Sequence, residues 1–332
     1  MSIAVSPQYT LFLQKGGKTY QLLKACSAAT LSEKTDSLAQ TLTFTVASVK
    51  AGNAYIGSII DPGDIVHLTC NDGDRKGELF KGPVWEVNYS QDARSISYTA
   101  YDPLIYIQKS SDALFFPVGR TTQQIFQSIC SKWKIPLQYK YTGGIKHEKK
   151  SWTNNKVSDM MLELLKDAKK KSKVSYMMKW QAGYLLVANR GINKIVYSFS
   201  DSTNLTKASS KRSMENVVTQ IIITGSAKDS GQIPIKATVK GTYQNRYGVL
   251  QNVQEMKEKQ SLADAKSDAT KDLWENRQPT LTFTGESVDY PFLRKGDLVN
   301  FLSGANGGYK KISVSSVSHN LLGRTMALEL EL

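Results

Sequence analysis

Three histidines are the side chains best suited to acid–base or metal chemistry at neutral pH in this 332-residue chain. His67 falls in a predicted strand, His147 in a lysine-rich loop, and His319 near the end of another predicted strand. The HxxxH, HExxH and CxxC spacings of zinc sites are absent from the sequence. We therefore predict no metal and no cofactor, although ligands from distant positions could still converge in the fold.

Carboxylate pairs and glycine-rich runs give little more chemistry. Asp61/Asp64 and Asp72/Asp74 fall in predicted turns, where such side chains usually accept backbone hydrogen bonds. The run 304–308 is glycine-rich, but it joins two predicted strands, whereas a phosphate cradle needs a helix N-terminus. The GxSxG, GxxxxGK[ST] and GxGxxG motifs are absent from the sequence. The sequence thus predicts a protein that is not an enzyme.

The cysteines Cys26, Cys70 and Cys130 are odd in number and widely spaced. This pattern is typical of small buried hydrophobic residues in a reducing compartment.

The formal net charge of +14 indicates attraction to anions such as nucleic acid, an envelope polymer or an acidic protein. The excess is partly local, with nine lysines against four acids over residues 146–173. We predict exposed contacts to an anionic partner at Lys146, Lys149, Lys150, Lys169, Lys170 and Lys171. A solvated helix end is the competing interpretation, because cations are favoured at helix C-termini.

The elements that carry these residues are mostly strands. Alternation predicts a hairpin over 8–24 and a half-buried strand over 41–47, and apolar runs predict further strands from Ile195 and from Val217.

Helical spacing appears in the middle of the chain, with Thr121 as the N-cap of a first helix. A second helix is predicted from about Ser158, with Met161, Leu164, Leu165 and Ala168 as its apolar stripe. A third helix is predicted over 261–276, capped by Ser261.

The pentapeptide Thr-Leu-Thr-Phe-Thr occurs twice, at 41–45 and 280–284. Gly-Asp-Ile-Val follows the first copy at 63–66, and Gly-Asp-Leu-Val follows the second at 296–299. Further matches pair Val84 and Val87 with Val314 and Val317, and Arg94, Ile96, Tyr98 and Ala100 with Arg324, Met326, Leu328 and Leu330. We interpret this order as an internal duplication of one β module.

The predicted fold is mainly β with an α/β insert (α+β). The first copy of the duplicated module has roughly seven short strands with turn signals between them, as expected of a small barrel or sandwich. The predicted boundaries are a first barrel over 1–105, an α/β insert over 106–212, which could form two lobes, and a second barrel over 213–332.

Five segments resemble the XkdQ/YqbQ proteins of PBSX-type prophages and the wider late-control-D group. They are Tyr101–Ser110, Thr121–Phe126, Val157–Leu165, Leu293–Val299 and Val314–His319. Each motif is short, and their order along the chain carries the resemblance.

That resemblance implies a baseplate or tail hub of a contractile-tailed phage or related particle. In such families each chain has two duplicated small β-barrel domains joined by small α/β domains. Two similar barrels per chain give a homotrimeric ring six similar surfaces, which adapt the sixfold tail tube to the threefold spike. The implied partners are the tail tube protein, the spike or central baseplate protein, and baseplate wedge or LysM-type proteins. DNA or tape-measure protein would pass through the lumen.

Two other function classes remain open from the residues. One is a basic β-barrel protein that binds nucleic acid or cell-wall polymer, and the other is a tail-associated wall hydrolase. The sequence lacks a basic start followed by an apolar core, and it lacks an apolar run long enough to span a membrane. We therefore expect synthesis in the bacterial cytoplasm, without a signal peptide or transmembrane segment, and assembly into a virion or tail-like particle.

Overall fold

A computed structural model describes residues 6–35, 37–47, 50–51, 54–55, 59–91, 94–226, 232–256, 260–304 and 308–331. Its first strands are β1 (Gln8–Lys15), β2 (Lys18–Gln21), β3 (Cys26–Lys34), β4 (Thr41–Ala47), β5 (Lys50–Ala51), β6 (Ala54–Tyr55), β7 (Ile65–Asn71), β8 (Lys76–Ser90) and β9 (Ser95–Tyr101). The middle strands are β10 (Ser111–Phe116), β11 (Leu137–Lys140), β12 (Lys150–Lys156), β13 (Tyr176–Gln181), β14 (Tyr184–Asn189), β15 (Ser198–Ser200) and β16 (Leu205–Ser213). The last are β17 (Gln220–Thr224), β18 (Ile235–Lys240), β19 (Gln251–Glu255), β20 (Thr280–Val288), β21 (Leu298–Ser303), β22 (Gly308–Asn320) and β23 (Thr325–Glu331).

The α-helices are α1 (Leu104–Lys109), α2 (Thr122–Lys132), α3 (Val157–Ser172), α4 (Gln244–Tyr247) and α5 (Leu262–Glu275). The chain forms two compact units, one of residues 1–209 with 283–332 and one of residues 210–282. The predicted boundaries at 105/106 and 212/213 stay a prediction.

The first β module comprises β3, β4, β9, β8, β7 and β1, which pair in that order. Its core forms because alternate residues of β4, namely Leu42, Phe44 and Val46, are buried while Thr43 faces solvent. Phe44 stacks on Tyr98 of β9 with ring centroids 4.9 Å apart. The half-buried strand predicted over 41–47 is confirmed.

The second β module comprises β16, β20, β23, β22, β21 and β15, which pair in the corresponding order. Phe283 of β20 and Phe301 of β21 are buried together in its core. The modules join in one sheet because the end of β22 also pairs with β3, from Ser316 opposite Lys34 to Asn320 opposite Thr30. The fold is therefore mainly β, as predicted.

An α/β lobe of α1, α2, α3 and β10–β14 lies between the two modules in sequence. Thr121 and Gln124 form a reciprocal capping box at the start of α2, which confirms the predicted N-cap. The stripe of α3 predicted from helical spacing, which includes Met161, Leu164 and Leu165, is fully buried.

The unit of residues 210–282 packs α5 on a sheet of β18, β17 and β19. Ser261 Oγ accepts a hydrogen bond from the amide of Asp264 at 3.1 Å, which confirms the predicted cap. Ala269 and Leu273 of α5 face Ile221 and Ile223 of β17.

Two strand predictions begin too early. The strand predicted from Ile195 begins at Ser198, and the strand predicted from Val217 begins at Gln220. The loop predicted over 304–308 falls largely outside the described residues, because 305–307 are not among them. No helix in the described part of the chain is long and apolar enough to cross a membrane.

Candidate functional site

The histidines lie in separate, internally satisfied surroundings. His67 stacks on Phe12 with centroids 4.9 Å apart, and its Nδ1 lies 3.3 Å from Glu78. His147 is buried, with Nε2 2.9 Å from the hydroxyl of Thr122. Burial and then Lys150 lower the pKa of His147 to about 4, so the imidazole is neutral at pH 7.

The third histidine belongs to a trio that resembles a catalytic arrangement, in which His319 and Asp289 are buried and Tyr9 is partly buried. His319 Nδ1 lies 2.6 Å from Asp289 Oδ1, and the hydroxyl of Tyr9 donates to the other oxygen of the same carboxylate. The remaining ring nitrogen, Nε2, lies 3.1 Å from the carbonyl of Leu293. Both imidazole nitrogens are thus engaged away from solvent, and the trio ties β1 to the second β module.

The turn carboxylates act on the backbone, as predicted. Asp64 accepts from the amide of Asp61 at 2.8 Å and pairs with Lys15. Asp72 Oδ1 accepts from the amides of Asp74 and Arg75 at 3.1 and 2.7 Å. Among the described residues there is no cluster of three or more His, Cys, Asp or Glu that could hold a metal ion.

The three cysteines are free thiols, with Cys70 and Cys130 buried and Cys26 partly buried. Burial raises the pKa of each thiol to about 12, so all three are protonated at neutral pH and poor nucleophiles.

The turn before β7 in the first β module has the same geometry as the turn before β21 in the second. Gly63 donates to the carbonyl of Val84 at 2.7 Å, and Gly296 donates to the carbonyl of Val314 at 2.8 Å. Both glycines have positive φ, 95° and 83°, which favours glycine sterically. In both modules a β-bulge follows the valine, and the arginine of the next turn (Arg94 or Arg324) has φ near 50°, at 46° and 52°.

The second copy of this turn also carries a buried network of charges. Arg294 donates two hydrogen bonds to the Glu33 carboxylate, and the amide of Lys295 donates a third at 3.2 Å. The ammonium of Lys295 donates to the carbonyls of Ser37 and Leu38 at 2.7 and 2.8 Å. Burial alone would raise the pKa of Glu33, but the charge and hydrogen bonds of Arg294 outweigh it and hold the pKa at about 2.

The network extends to the α/β lobe through Lys179 of β13, whose ammonium lies 3.3 Å from Asp297. Gly296 has no room for a side chain, because a Cβ there would lie 2.8 Å from the sulfur of Met177. Leu293–Val299, which the sequence singles out as a motif, therefore joins three structural parts of the larger unit.

Asp102 marks the point where the first β module passes into the α/β lobe. Its carboxylate accepts from the amides of Gln40 and Leu104 at 3.0 and 2.9 Å. Burial dominates over these hydrogen bonds and raises the pKa of Asp102 to about 7.

The predicted anion contacts are not equivalent. Lys146, Lys149 and Lys169–Lys171 are exposed, the last three in the final turn of α3. Lys150 is mostly buried and pairs with Glu163 at 2.6 Å and Asp167 at 2.5 Å. Burial lowers its pKa, but these two carboxylates outweigh burial and raise it, so Lys150 is a structural cation.

The chain is similar to known proteins in family, sequence and fold. A family model described as YQBQ-like matches residues 29–332. Among curated proteins, the chain is similar to the phage-like element PBSX protein XkdQ of Bacillus subtilis (strain 168), with 28% identity over 211 residues, or 57% of this chain. The alignment spans 59% of the length of XkdQ.

Among solved structures, the chain is similar to the 43 kDa tail protein of prophage MuSo2 from Shewanella oneidensis. The TM-score is 0.69 at 15% identity, and the match covers 97% of this chain and 98% of that one. It is also similar to the tail protein from Neisseria meningitidis MC58, with a TM-score of 0.68 at 13% identity over 98% of this chain and 96% of that one. At these identities the similarity shows a shared fold.

Proposed function

Because the chain belongs to the YQBQ-like family, we propose that it is a structural hub protein of a contractile phage tail or tail-like particle. In this role three copies form a ring at the baseplate, between the sixfold tail tube and the threefold spike. The similarity to a protein of the phage-like element PBSX and the fold shared with two solved tail proteins support a structural role in a tail.

The observation that carries the proposal is the repeated strand order of the two β modules. The order β4-β9-β8-β7 in the first corresponds to β20-β23-β22-β21 in the second, and each has the same glycine turn and the same bulge. This agreement supports a duplicated barrel-like module. A threefold ring with two such modules per chain presents six similar surfaces, which is what a sixfold partner requires.

The three predicted domains would have different roles in the hub. The strands that would face the tube lie in residues 1–105 and 213–332, together with β15 and β16 at the end of the predicted insert of residues 106–212. The rest of that insert would adapt to the spike or other baseplate proteins. The remaining partners are baseplate wedge or LysM-type tail proteins, with DNA or tape-measure protein passing through the lumen of the ring.

The buried chemistry supports a role without catalysis. His319, Asp289 and Tyr9 form their hydrogen bonds with one another and with the carbonyl of Leu293. Burial raises the pKa of the three thiols, so they are protonated at neutral pH. The charged network around Arg294 joins the second β module to Glu33 of β3 and, through Asp297, to Lys179 of β13. Its charged groups therefore hold structural elements together. A tail-associated wall hydrolase gains no support from these groups.

A second candidate, binding of nucleic acid or a cell-wall polymer, is favoured by one observation. Five of the six lysines predicted to contact anions are exposed. Such a contact is compatible with a hub, because a ring that passes DNA or acts at an envelope also meets polyanions.

Light scattering coupled to gel filtration separates these two functions. The hub proposal expects a mass near 111 kDa, three times the 36.9 kDa of one chain. A monomer that binds oligonucleotides with steep salt dependence would instead favour the polyanion-binding protein.

A further inference from the structure

A basic cleft lies between three structural parts of the larger unit. Its walls come from β8 of the first β module, from β11, β13 and β14 of the α/β lobe, and from the turn before β21. We call it the β13 cleft. It encloses about 480 Å³, which lies within the range typical of ligand sites. Every lining residue belongs to the unit of residues 1–209 with 283–332, so the cleft is complete within one chain.

Cations outnumber acids along the β13 cleft. Arg294 lines it but is committed to Glu33. Five further cations line the cleft: Arg75, Lys81, Lys140, Lys179 and Lys194. The acids among the described lining residues are Glu78 and Asp297, so these five cations leave three positive charges in excess. An excess of one sign in a concave site attracts ligands of the opposite charge.

Lys179 is a buried cation of the cleft with hydrogen-bond donors to spare. The residue is 4% exposed, and its ammonium lies 3.3 Å from Oδ1 of Asp297. An ammonium has three N–H donors, and within the part of the chain that the structure describes this long contact is the one hydrogen bond that Lys179 makes. Burial lowers the pKa of Lys179 despite Asp297, which indicates that one carboxylate does not offset its loss of hydration. An anion in the cleft would therefore be stabilised by the open donors.

Arg75 presents a second cation in a fixed position. Its guanidinium carbon lies 4.3 Å from the ring centroid of Phe292, which also lines the cleft. Its Nη2 donates to the hydroxyl of Tyr197 and, at 3.4 Å, to Asp72. Nε and Nη1 have no acceptor among the described residues, so a planar pair of donors is left for a carboxylate.

A buried amide in the same cleft is also without a partner. Gln40 is 3% exposed and lines the cleft, yet its side chain makes no hydrogen bond with any residue that the structure describes. Buried polar groups are normally hydrogen-bonded, and an amide both donates and accepts. A peptide group in the cleft would satisfy both needs.

The character of the lining favours a peptide over a phosphate group. Phosphate sites commonly use the main-chain N–H groups of a helix N-terminus, but α1–α5 contribute no residue to the described lining. Aromatic side chains line the cleft instead, beside the cations and amides: Trp180, Tyr184 and Phe292. An extended peptide that alternates acidic and apolar residues matches this mixture.

From these observations we propose that the β13 cleft binds a short acidic peptide segment of another protein, with carboxylates on Lys179 and Arg75. A main-chain amide of the segment pairs with Gln40, and an apolar side chain packs on the aromatic rings. The site needs one chain only, so the inference goes beyond the proposed hub and does not require the ring.

Fluorescence anisotropy with the labelled peptide acetyl-Glu-Leu-Glu-Leu-Glu-amide tests the proposal. The rim variant combines Lys81→Glu, Lys140→Glu and Lys194→Glu, at exposed residues that the fold does not need. We expect it to bind the peptide roughly tenfold more weakly than the unchanged protein does, or by about 1.4 kcal/mol. Arg75→Gln, at a side chain that is 33% exposed, should weaken binding as well.

The matched control makes the same change of charge away from the cleft, with Lys18→Glu, Lys24→Glu and Lys109→Glu at exposed residues. It should bind the peptide as the unchanged protein does. An equal loss in both variants would show general charge attraction and overturn the site. So would unchanged binding of a peptide with glutamine in place of each glutamate, or no binding to the unchanged protein at millimolar peptide.

Protection of a thiol locates the bound peptide. Gln181→Cys places a thiol at an exposed residue of the cleft, and Ser151→Cys places one on β12 outside it. Both variants carry Cys26→Ser, because Cys26 is the thiol that is not fully buried. We expect the peptide to slow alkylation at residue 181 and to leave it unchanged at residue 151. Equal rates with and without peptide at residue 181 would contradict the proposal.

A short single-stranded oligonucleotide, used as a competitor, distinguishes the other class of polyanion. If it displaced the labelled peptide at lower concentration than the unlabelled peptide does, the cleft would be a nucleic-acid site and the proposal would be wrong. The mass measured by light scattering tests the hub separately, because peptide binding needs one chain only.

Discussion

Arg294 and Glu33 form a buried, two-pronged ion pair across 261 residues of sequence. Nε donates to Oε2 at 2.7 Å and Nη2 donates to Oε1 at 2.5 Å. Arg294 lies in the turn before β21 and Glu33 lies in β3, so the pair fastens the second β module to the first beside the strand pairing of β22 with β3. The planar guanidinium suits this geometry, because it can meet both carboxylate oxygens at once.

Replacing Arg294 with alanine should destabilise the larger unit strongly, because it leaves Glu33 buried without its main partner. Removal of one member of a buried pair typically costs roughly 3–5 kcal/mol. Urea denaturation followed by tryptophan fluorescence measures the loss. The free energy of unfolding of Arg294→Lys should lie between those of the unchanged protein and Arg294→Ala, because a lysine ammonium keeps the charge but cannot contact both carboxylate oxygens as the guanidinium does.

The matched control is Lys207→Ala, which removes a pair between Lys207 and Glu286 whose side chains are 75% and 49% exposed. Exposed pairs contribute about 1 kcal/mol or less. If Arg294→Ala cost no more than Lys207→Ala, the junction would not depend on this ion pair. Because the folded pKa of Glu33 is lowered to about 2, its contribution is present above about pH 4.5 and is lost as the pH falls through 2.

Gly82→Ala should disrupt the middle of β8. A Cβ at this position would lie 1.9 Å from the carbonyl oxygen of Tyr101, and backbone cannot move aside as a side chain can. Overpacking of this kind costs about 1–3 kcal/mol, and a backbone clash belongs at the upper end.

Gly77→Ala on the same strand is the control, because the added atom would meet Phe292 at an ordinary 3.5 Å. Thermal unfolding should separate the two variants by several degrees. Equal midpoints would contradict this close approach of β8 to Tyr101.

His147 should make stability fall in mild acid. Its folded pKa is lowered to about 4, so the unfolded chain takes up a proton near pH 6.5 that the folded chain does not. Between pH 7 and pH 5 the free energy of unfolding should therefore drop by about 2 kcal/mol from this residue.

Urea denaturation at both pH values measures this drop, and His147→Asn should reduce it. The variant His67→Asn tests whether the loss of slope is specific to the buried histidine. An unchanged slope in His147→Asn would show that other groups govern the acid response.

Charge reversal of exposed lysines should weaken polyanion binding without loss of the trimer. The variant replaces four residues by glutamate: Lys146, Lys149, Lys169 and Lys171. Lys150 is left in place because its ion pairs are structural. Acid at a helix C-terminus costs about 0.3–1 kcal/mol per residue, so the fold should tolerate the change.

The measurement is binding of a single-stranded oligonucleotide at two salt concentrations, with the mass checked by light scattering. The control reverses four exposed lysines elsewhere: Lys18, Lys24, Lys236 and Lys240. We expect a smaller salt slope only in the first variant. Loss of folding in that variant, or an equal effect in the control, would contradict the assignment.

Local sequence signals predicted the elements well where the signal and the structure lie within a few residues. The N-cap at Thr121 and the buried face of Leu42, Phe44 and Val46 are of this kind. The strand predicted from Ile195 began too early, because an apolar run gives the strand tendency but not its limits.

Local sequence signals could not predict which residues distant in sequence pair with one another. The motif Leu293–Val299 was visible in the sequence, but nothing local marks Glu33 as the partner of Arg294 or Lys179 as the partner of Asp297. The repeat matched Gly63 with Gly296 and Val84 with Val314, but the hydrogen bond from each glycine to its valine became visible only in the structure.

Cryo-electron microscopy of the assembled ring tests the central claim most directly. The account predicts three chains around a lumen, with six β modules at similar radius, two from each chain. A single-chain particle in isolation and with the tube and spike proteins of the same particle would contradict it. So would a ring in which the two β modules of each chain lie at different radii.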